Sequence, residues 1–294
     1  MKTRNKLLLS ASAMLVLSAG AMATGTVAWF TATRQVDVNF SNVKVMTTQS
    51  DMAVSLVGTT YTATPSQGVL DITGLDSAAT DISGDGVNFY KPVWGIDGST
   101  TAIEIDEVTD LSTHVGFYVE FQLLITRTNP TADNGFMVYL GENSTIEPLV
   151  EADAEDEAAV ASARVAILNE AKSARTVLWT PDTGDASYQY LDAGTGPAYG
   201  VTGFDLLTYP AESSTVDSFL VGAFTNHDAI NGTNDGHEGG NSPVIADLSD
   251  GILDVTETIT VRIWIEGVDL DCINTAIEGQ FTVTLDLYSM GFSI

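Results

Sequence analysis

The chain has 294 residues, and its 39 Asp and Glu against 11 Lys and Arg give a formal net charge of −28. An acidic excess of this size repels nucleic acid and anionic lipid headgroups, which argues against both as partners. Hydrophobic residues make up 44% of the chain, so it can bury a sizeable core, and disorder of the whole chain is excluded. Cys272 is the single cysteine, which excludes an intrachain disulfide.

The N-terminal segment has the layout of an export signal. Lys2, Arg4 and Lys6 precede an apolar run over residues 7–22, the order of charged and apolar regions found in signal peptides. Serines and a glycine interrupt the run, which falls short of the ~20 apolar residues of a membrane-spanning helix. We therefore predict a cleaved signal helix over residues 1–29 that contacts the membrane only transiently, during export. The alternative is an uncleaved N-terminal anchor helix.

The hexapeptide Gly-Thr-Val-Ala-Trp-Phe at residues 25–30 ends this segment. It resembles the G-T-x-A-x-F ending of the TasA and camelysin family, whose members are exported and cut by a dedicated SipW-type signal peptidase. The resemblance implies cleavage between Ala28 and Phe30, on one side or the other of Trp29. A second small-residue pattern, at residues 21–23, would place the cut earlier.

The resemblance also implies where the protein acts. We expect it outside the cell or at the cell surface of a bacterium or archaeon, as part of the cell surface or of an extracellular biofilm matrix. Removal of residues 1–29 takes away three cations and no anions, so the net charge falls from −28 to about −31. Such a surface suits solubility outside the cell, halophilic conditions or loose binding of divalent cations, and charge alone does not separate these.

The segment that follows the predicted cut, residues 30–40, alternates apolar and polar side chains. Val36, Val38 and Phe40 fall on one face of an extended strand. A strand freed by a peptidase can fold onto its own sheet or add to the open edge of the next subunit. The resemblance implies the second arrangement, self-association into fibres by strand addition. The alternative is an ordinary first strand within the monomer.

Alternation with period two runs through the rest of the chain and is strongest over residues 115–125, 258–266 and 280–288. It predicts a single all-β domain over residues 30–294, a β-sandwich or jelly roll. The last two of these strands should close the fold as a hairpin-like or Greek-key pair. Shorter strands are predicted at 36–40, 43–48, 52–57, 87–94, 135–139, 162–168, 176–179, 218–224 and 251–255.

One segment departs from the strand pattern. Residues 151–161 are rich in Ala and Glu and contain neither Gly nor Pro, with acids concentrated at the start. Acidic side chains in the first turns are favoured by the helix dipole. We predict a short surface helix here.

Oxygen side chains at alternate positions suggest a calcium loop. Asp81, Ser83 and Asp85, with a glycine after Asp85, match the opening half of such a loop. The twelfth position is Pro92 rather than a bidentate Glu, which excludes an EF-hand. The segment is therefore either a partial calcium site or a structural turn. The structural turn is the favoured interpretation, so we expect no cofactor unless calcium binds here.

Two histidines lie in the longest loop-like stretch, residues 226–251. His227 and His237 are neighboured by acids, as zinc ligands often are, and His237 begins a sequence like H-E-x-x-H. Asn241 replaces the second histidine of that motif, and glycines deny the segment a helix. Solvated loop histidines are the favoured interpretation.

No complete catalytic motif is present, so we do not expect an enzyme. The hypothesis we favour is a secreted structural protein that forms fibres through its N-terminal strand. The resemblance to camelysin implies an extracellular metallopeptidase as the alternative. A third hypothesis is an adhesion or carbohydrate-binding module that presents Trp94, Trp179 and Trp264, although such residues more often lie in a core.

Overall fold

The structure is a computed structural model. It describes residues 39–47, 52–57, 62–66, 69–73, 82–94, 103–108, 117–128, 134–140, 144–179, 189–198, 201–208, 220–222, 244–248, 255–268, 272 and 279–293. All of them belong to Gln35–Ile294, the larger of two units into which the chain divides. The predicted signal helix over residues 1–29 lies outside the described residues.

The described residues form strands and one helix, and all are named here in chain order. The strands are β1 Asn39–Thr47, β2 Met52–Val57, β3 Thr62–Ser66, β4 Val69–Thr73, β5 Ser83–Gly84, β6 Phe89–Trp94, β7 Ile103–Glu107, β8 Val119–Arg127, β9 Asn134–Leu140, β10 Thr145–Pro148, β11 Ala163–Asn169, β12 Arg175–Trp179, β13 Gln189–Ala198, β14 Val201–Thr208, β15 Leu220–Gly222, β16 Val244–Asp247, β17 Thr256–Ile265 and β18 Gln280–Ser293. The helix α1 spans Ala154–Ser162.

The first sheet has seven strands in the order β16-β9-β18-β1-β4-β3, with β10 also paired to β18. The first and last of the described strands, β1 and β18, are neighbours and run parallel, with Asn39 opposite Gln280. The other pairs are antiparallel. The strand β1 therefore lies inside the sheet, between β18 and β4.

The second sheet has six strands in the order β15-β12-β11-β17-β8-β2, all antiparallel. Because β17 lies in this sheet and β18 in the first, the two strands do not form a hairpin. The hairpin-like form of the predicted closing pair is therefore wrong. The chain crosses from one layer of the sandwich to the other between them, as in Greek-key connections.

The main core lies between the two sheets and follows the predicted alternation. Side chains from β8, β17 and β18 are buried at every second position and belong to one cluster with residues of β1, β9 and β11. The predicted inward residues among them are Val119, Phe121, Leu123, Ile125, Ile259, Val261, Ile263, Ile265, Phe281, Val283, Leu285 and Leu287. The all-β sandwich predicted from the sequence is confirmed.

A third layer covers the outer face of the second sheet. The strands β5, β6 and β7 form a three-stranded sheet, and β13 and β14 form a hairpin. A second apolar cluster, which includes Phe89, Tyr118, Leu178 and Trp264, lies between the second sheet and this layer, and Tyr190 of β13 packs against it. The second sheet is thus buried on both faces where this layer covers it.

The predicted helix is present as α1, with Asp153 as its N-cap and three acids in its first turn. The carboxylate of Asp153 accepts hydrogen bonds from the N–H groups of Glu155 and Asp156. Ala159 packs into the main core, so one side of the helix is buried and the other faces solvent. Within the described part of the chain, no helix has the length and apolar character needed to cross a membrane.

Candidate functional site

The predicted assembly segment overlaps the start of β1. Val36 and Val38 lie outside the described residues, while the backbone at Phe40 pairs with Phe281 of the same chain. Downstream in β1, Val43 and Val45 are fully buried in the main core. The described part of the strand is therefore an internal strand of its own sheet, and the fibre hypothesis rests on the residues before Asn39.

The predicted cleavage residues Ala28, Trp29 and Phe30 lie outside the described residues, and so do the zinc candidates His227 and His237. Both hypotheses stay predictions. The loop that carries the two histidines was predicted to run over residues 226–251. Its end is a strand, because residues 244–247 form β16 at the edge of the first sheet.

Of the three calcium candidates, Ser83 and Asp85 make separate hydrogen bonds within the protein. Asp81 lies outside the described residues. The hydroxyl of Ser83 is buried and hydrogen-bonds to Glu266. One carboxylate oxygen of Asp85 accepts from the N–H groups of Val87 and Asn88, both at 2.8 Å, which closes a turn.

Acidic side chains gather around this turn. Burial raises the pKa of Asp192, and the nearby charges of Asp85 and Asp205 raise it further. Burial also raises the pKa of the Tyr90 hydroxyl, which hydrogen-bonds to Asp192. Among the residues that the structure describes, no group of three or more His, Cys, Asp or Glu side chains could hold a metal ion.

The tryptophans do not form an exposed platform. Trp179 and Trp264 are both buried, at 1% and 0% exposure, the first in the main core and the second in the outer cluster. The carbohydrate-platform hypothesis is wrong for these two residues, and their alternative interpretation as core residues is confirmed. The side chain of Trp94 lies outside the described part of the chain.

A buried ionic group on the outer face of the second sheet was not predicted. Glu120 of β8 lies directly opposite Arg262 of β17, and Arg262 Nε donates to Glu120 Oε2 at 2.8 Å. Lys172, in the turn after β11, binds the other carboxylate oxygen. Burial alone would raise the pKa of Glu120, but hydrogen bonds from Lys172 and Arg262 outweigh it and hold the pKa below its usual value.

Arg262 also attaches the third layer to the sheet. Its Nη1 donates to the carbonyl oxygens of Gly86 and Val87 at 2.8 and 3.0 Å. Its guanidinium lies 5.3 Å from the ring centre of Tyr118, which stacks on Phe89 of β6 at 4.7 Å. One fully buried cation thus joins β8, β17 and the loop after β5.

Glu266, just after β17, makes a second attachment. Its carboxylate accepts from the Trp264 indole N–H at 3.2 Å and from the Gly84 N–H at 3.3 Å, in addition to the Ser83 hydroxyl. Complete burial raises the pKa of Glu266 to about 7, although these hydrogen bonds and the positive charge of Arg164 lower it. The carboxyl group is therefore held among buried donors rather than in a cleft open to a substrate.

The sequence contained a weak signal for this group. Thr260, Arg262, Trp264 and Glu266 alternate with the isoleucines and valine of β17, a pattern typical of a strand with one face in solvent. A tryptophan between two charged residues on that face was the sign that the face is covered. No protein-family model matches the chain, and no curated protein is significantly similar to it.

Proposed function

We propose that this protein is an exported structural component of the cell surface or extracellular matrix, and that residues 30–38 join its subunits into fibres by strand addition. The observation that carries the proposal is the register of β1. The described ladder begins with Asn39 opposite Gln280, so both strands start at the same end of the first sheet. The alternating segment before Asn39 leads directly into this central strand.

Charge supports the same proposal. The mature chain carries a large negative charge, so most of its surface repels a second copy. Residues 30–38 contain one cation, Arg34, and one anion, Asp37, and are neutral overall. This segment can approach another subunit without adding to the repulsion, and backbone hydrogen bonds would supply the attraction.

Negative-stain microscopy of the mature protein tests the proposal. Val36→Asp combined with Val38→Asp places two charges on the apolar face of the segment and should abolish fibres. The matched control is Thr33→Asp combined with Gln35→Asp, which makes the same charge change on the opposite face and should retain fibres. The proposal fails if the mature wild type stays monomeric, or if both double variants behave alike.

A further inference from the structure

The strands at the edges of the two main sheets differ in their protection against pairing. Edge strands expose unpaired backbone groups, and proteins protect them with proline, charge or short length. The edge strand β3 contains Pro65, β16 has four residues with Asp247 exposed, and β15 has three residues. The strand β2 has six residues, MAVSLV, with neither charge nor proline, and among the described strands it pairs only with β8.

The surroundings of β2 lack charge as well. Charged residues make up 17% of the chain, yet residues 45–70 contain a single one, Asp51. Both β2 and β3 fall in this stretch and contact one another at one side of the sandwich. In a chain of net charge −28, two copies meet the least repulsion where charges are fewest.

The main core is incompletely covered at β2. Val54 and Leu56 pack against this core but remain only half-buried. Their partners on β8, Ile125 and Leu123, are fully buried. A further strand beside β2 would cover the exposed parts of both side chains and remove apolar surface from water.

We propose that β2 is a site of self-association, at which β2 of one copy pairs antiparallel with β2 of a second copy. The two six-stranded sheets then become one continuous antiparallel sheet across a twofold axis. An uncharged strand paired with itself needs no second docking surface, because the twofold axis makes the interface self-complementary.

The pairing of two six-residue strands buries less surface than the ~1,600 Å² of a standard stable interface, so an isolated dimer should be weak. If the subunits also form fibres, many β2 edges lie on one particle and their contacts add up. This second step rests on the proposed function, whereas pairing of two free copies does not.

Sedimentation over a range of concentrations tests the pairing in the mature protein. The wild type is studied at high salt, and the variants are compared with it at ~0.15 M NaCl, where like charges a few Å apart still repel. Ser55 is exposed near the middle of β2. Ser55→Lys and Ser55→Glu should each weaken dimerisation at least tenfold, because the twofold axis brings like charges together. If net charge alone governed association, Ser55→Lys would strengthen it and only Ser55→Glu would weaken it. Ala193→Lys, at an exposed position of β13, is the matched control and should leave dimerisation unchanged.

The inference is overturned if the wild type stays monomeric at millimolar concentration in high salt, or if Ser55→Lys dimerises as the wild type does. Circular dichroism checks that Ser55→Lys is folded, and Ala53→Lys, also exposed on β2, replaces it if it is not. Deletion of residues 30–38 separates the two proposals. It should remove fibres and leave β2 pairing intact, so either proposal can fail alone.

Discussion

Glu266 is a carboxyl group enclosed by protein on every side, and its position gives the stability a dependence on pH. A buried carboxyl favours its neutral form, because the protein interior solvates a negative charge less well than water does. Burial raises the pKa of Glu266 to about 7 from an ordinary value of 4.5. The folded state therefore holds a proton between these two pH values that the unfolded state has lost.

The sign of the effect follows from this difference in bound protons. The contribution of Glu266 to stability is fully present below pH 4.5 and is lost as pH rises through about 7. We expect Glu266→Gln to remove this dependence. As the pH rises from 4.5 to 7.5, the free energy of unfolding of the Glu266→Gln variant should increase relative to that of the wild type by on the order of 3 kcal/mol. Urea denaturation of both proteins across this range measures the difference, and parallel pH profiles would refute the assignment.

Arg262 and Lys172 bind the same carboxylate from different environments. Arg262 has a fully buried side chain, whereas that of Lys172 is 32% exposed. Arg262→Met removes the buried cation that pairs with Glu120 and should cost about 3–5 kcal/mol of stability. Lys172→Met should cost about 1 kcal/mol or less, because water replaces a partly exposed cation. Chemical denaturation compares the two, and equal losses would contradict the role given to Arg262.

At the scale of residues, the sequence predicted the inward face of the sheets and not the outward one. The buried isoleucines of β17 were predicted because apolar side chains recur at every second position. Arg262 and Glu266 share the opposite face, where charge usually means solvent. Their burial depends on a layer built from β5, β6 and β13, which is distant in sequence and leaves only one weak mark on the local pattern, Trp264 between the two charged residues.

At the scale of elements, the helix α1 is tied to the first sheet by a single carboxylate. Asp156 is 7% exposed and accepts from the N–H groups of Val150, after β10, and Gln280, at the start of β18, at 2.8 and 2.6 Å. Gly279 lies so close to the helix that an added Cβ would stand 2.7 Å from the Cβ of Ala159. The helix therefore packs directly on the beginning of β18.

The two aspartates of this helix should differ in their effect on stability. Asp156→Ala leaves two partly buried N–H groups without their charged acceptor and should cost about 2–3 kcal/mol. Asp153→Ala removes a partly exposed N-cap and should cost about 1 kcal/mol. Thermal and urea unfolding measure both. A larger loss for Asp153→Ala would mean that capping, rather than the link to the sheet, holds α1 in place.

Predicted elements were accurate where a strand alternates and weak where it does not. The strand β2 has the predicted bounds, 52–57. Strands were predicted separately at 36–40 and 43–48, and the described residues of both, 39–40 and 43–47, belong to the single strand β1. The hairpin of β13 and β14 was missed, because Gly194, Gly196 and Pro197 indicate a loop. Asp205 of β14 accepts hydrogen bonds from the N–H groups of Thr195 and Gly196, a link between strands that local propensity does not predict.

At the scale of the whole molecule, acidic charge opposes compactness. With a net charge of −28, repulsion among surface carboxylates destabilises the folded chain, and salt screens it. The Debye length falls from ~30 Å at 0.01 M to ~8 Å at 0.15 M. We expect the thermal midpoint to rise by several degrees over this range of NaCl, as measured by calorimetry. A flat or falling midpoint would contradict this.

The thermal midpoint, measured by calorimetry, also tests the calcium hypothesis. Calcium and magnesium chloride at equal ionic strength screen equally, so screening alone should give equal midpoints. A specific site near Asp81 and Asp85 would raise the midpoint further with calcium alone, because a ligand that binds only the folded state stabilises it. Asp85→Asn should then remove the excess. Equal midpoints in the two salts would argue against such a site.

The neighbouring positions of β1 and β18 determine when the domain can be completed. The paired residues Asn39 and Gln280 are about 240 positions apart in sequence, and the last strand has 14 residues. A chain that emerges N-terminus first cannot complete the first sheet until its final strand has emerged. Closing so long a loop is slow, and until β18 is in place the partly folded chain keeps an open gap between β9 and β1. Completion of this sheet is thus postponed until the last strand of the pair has been delivered.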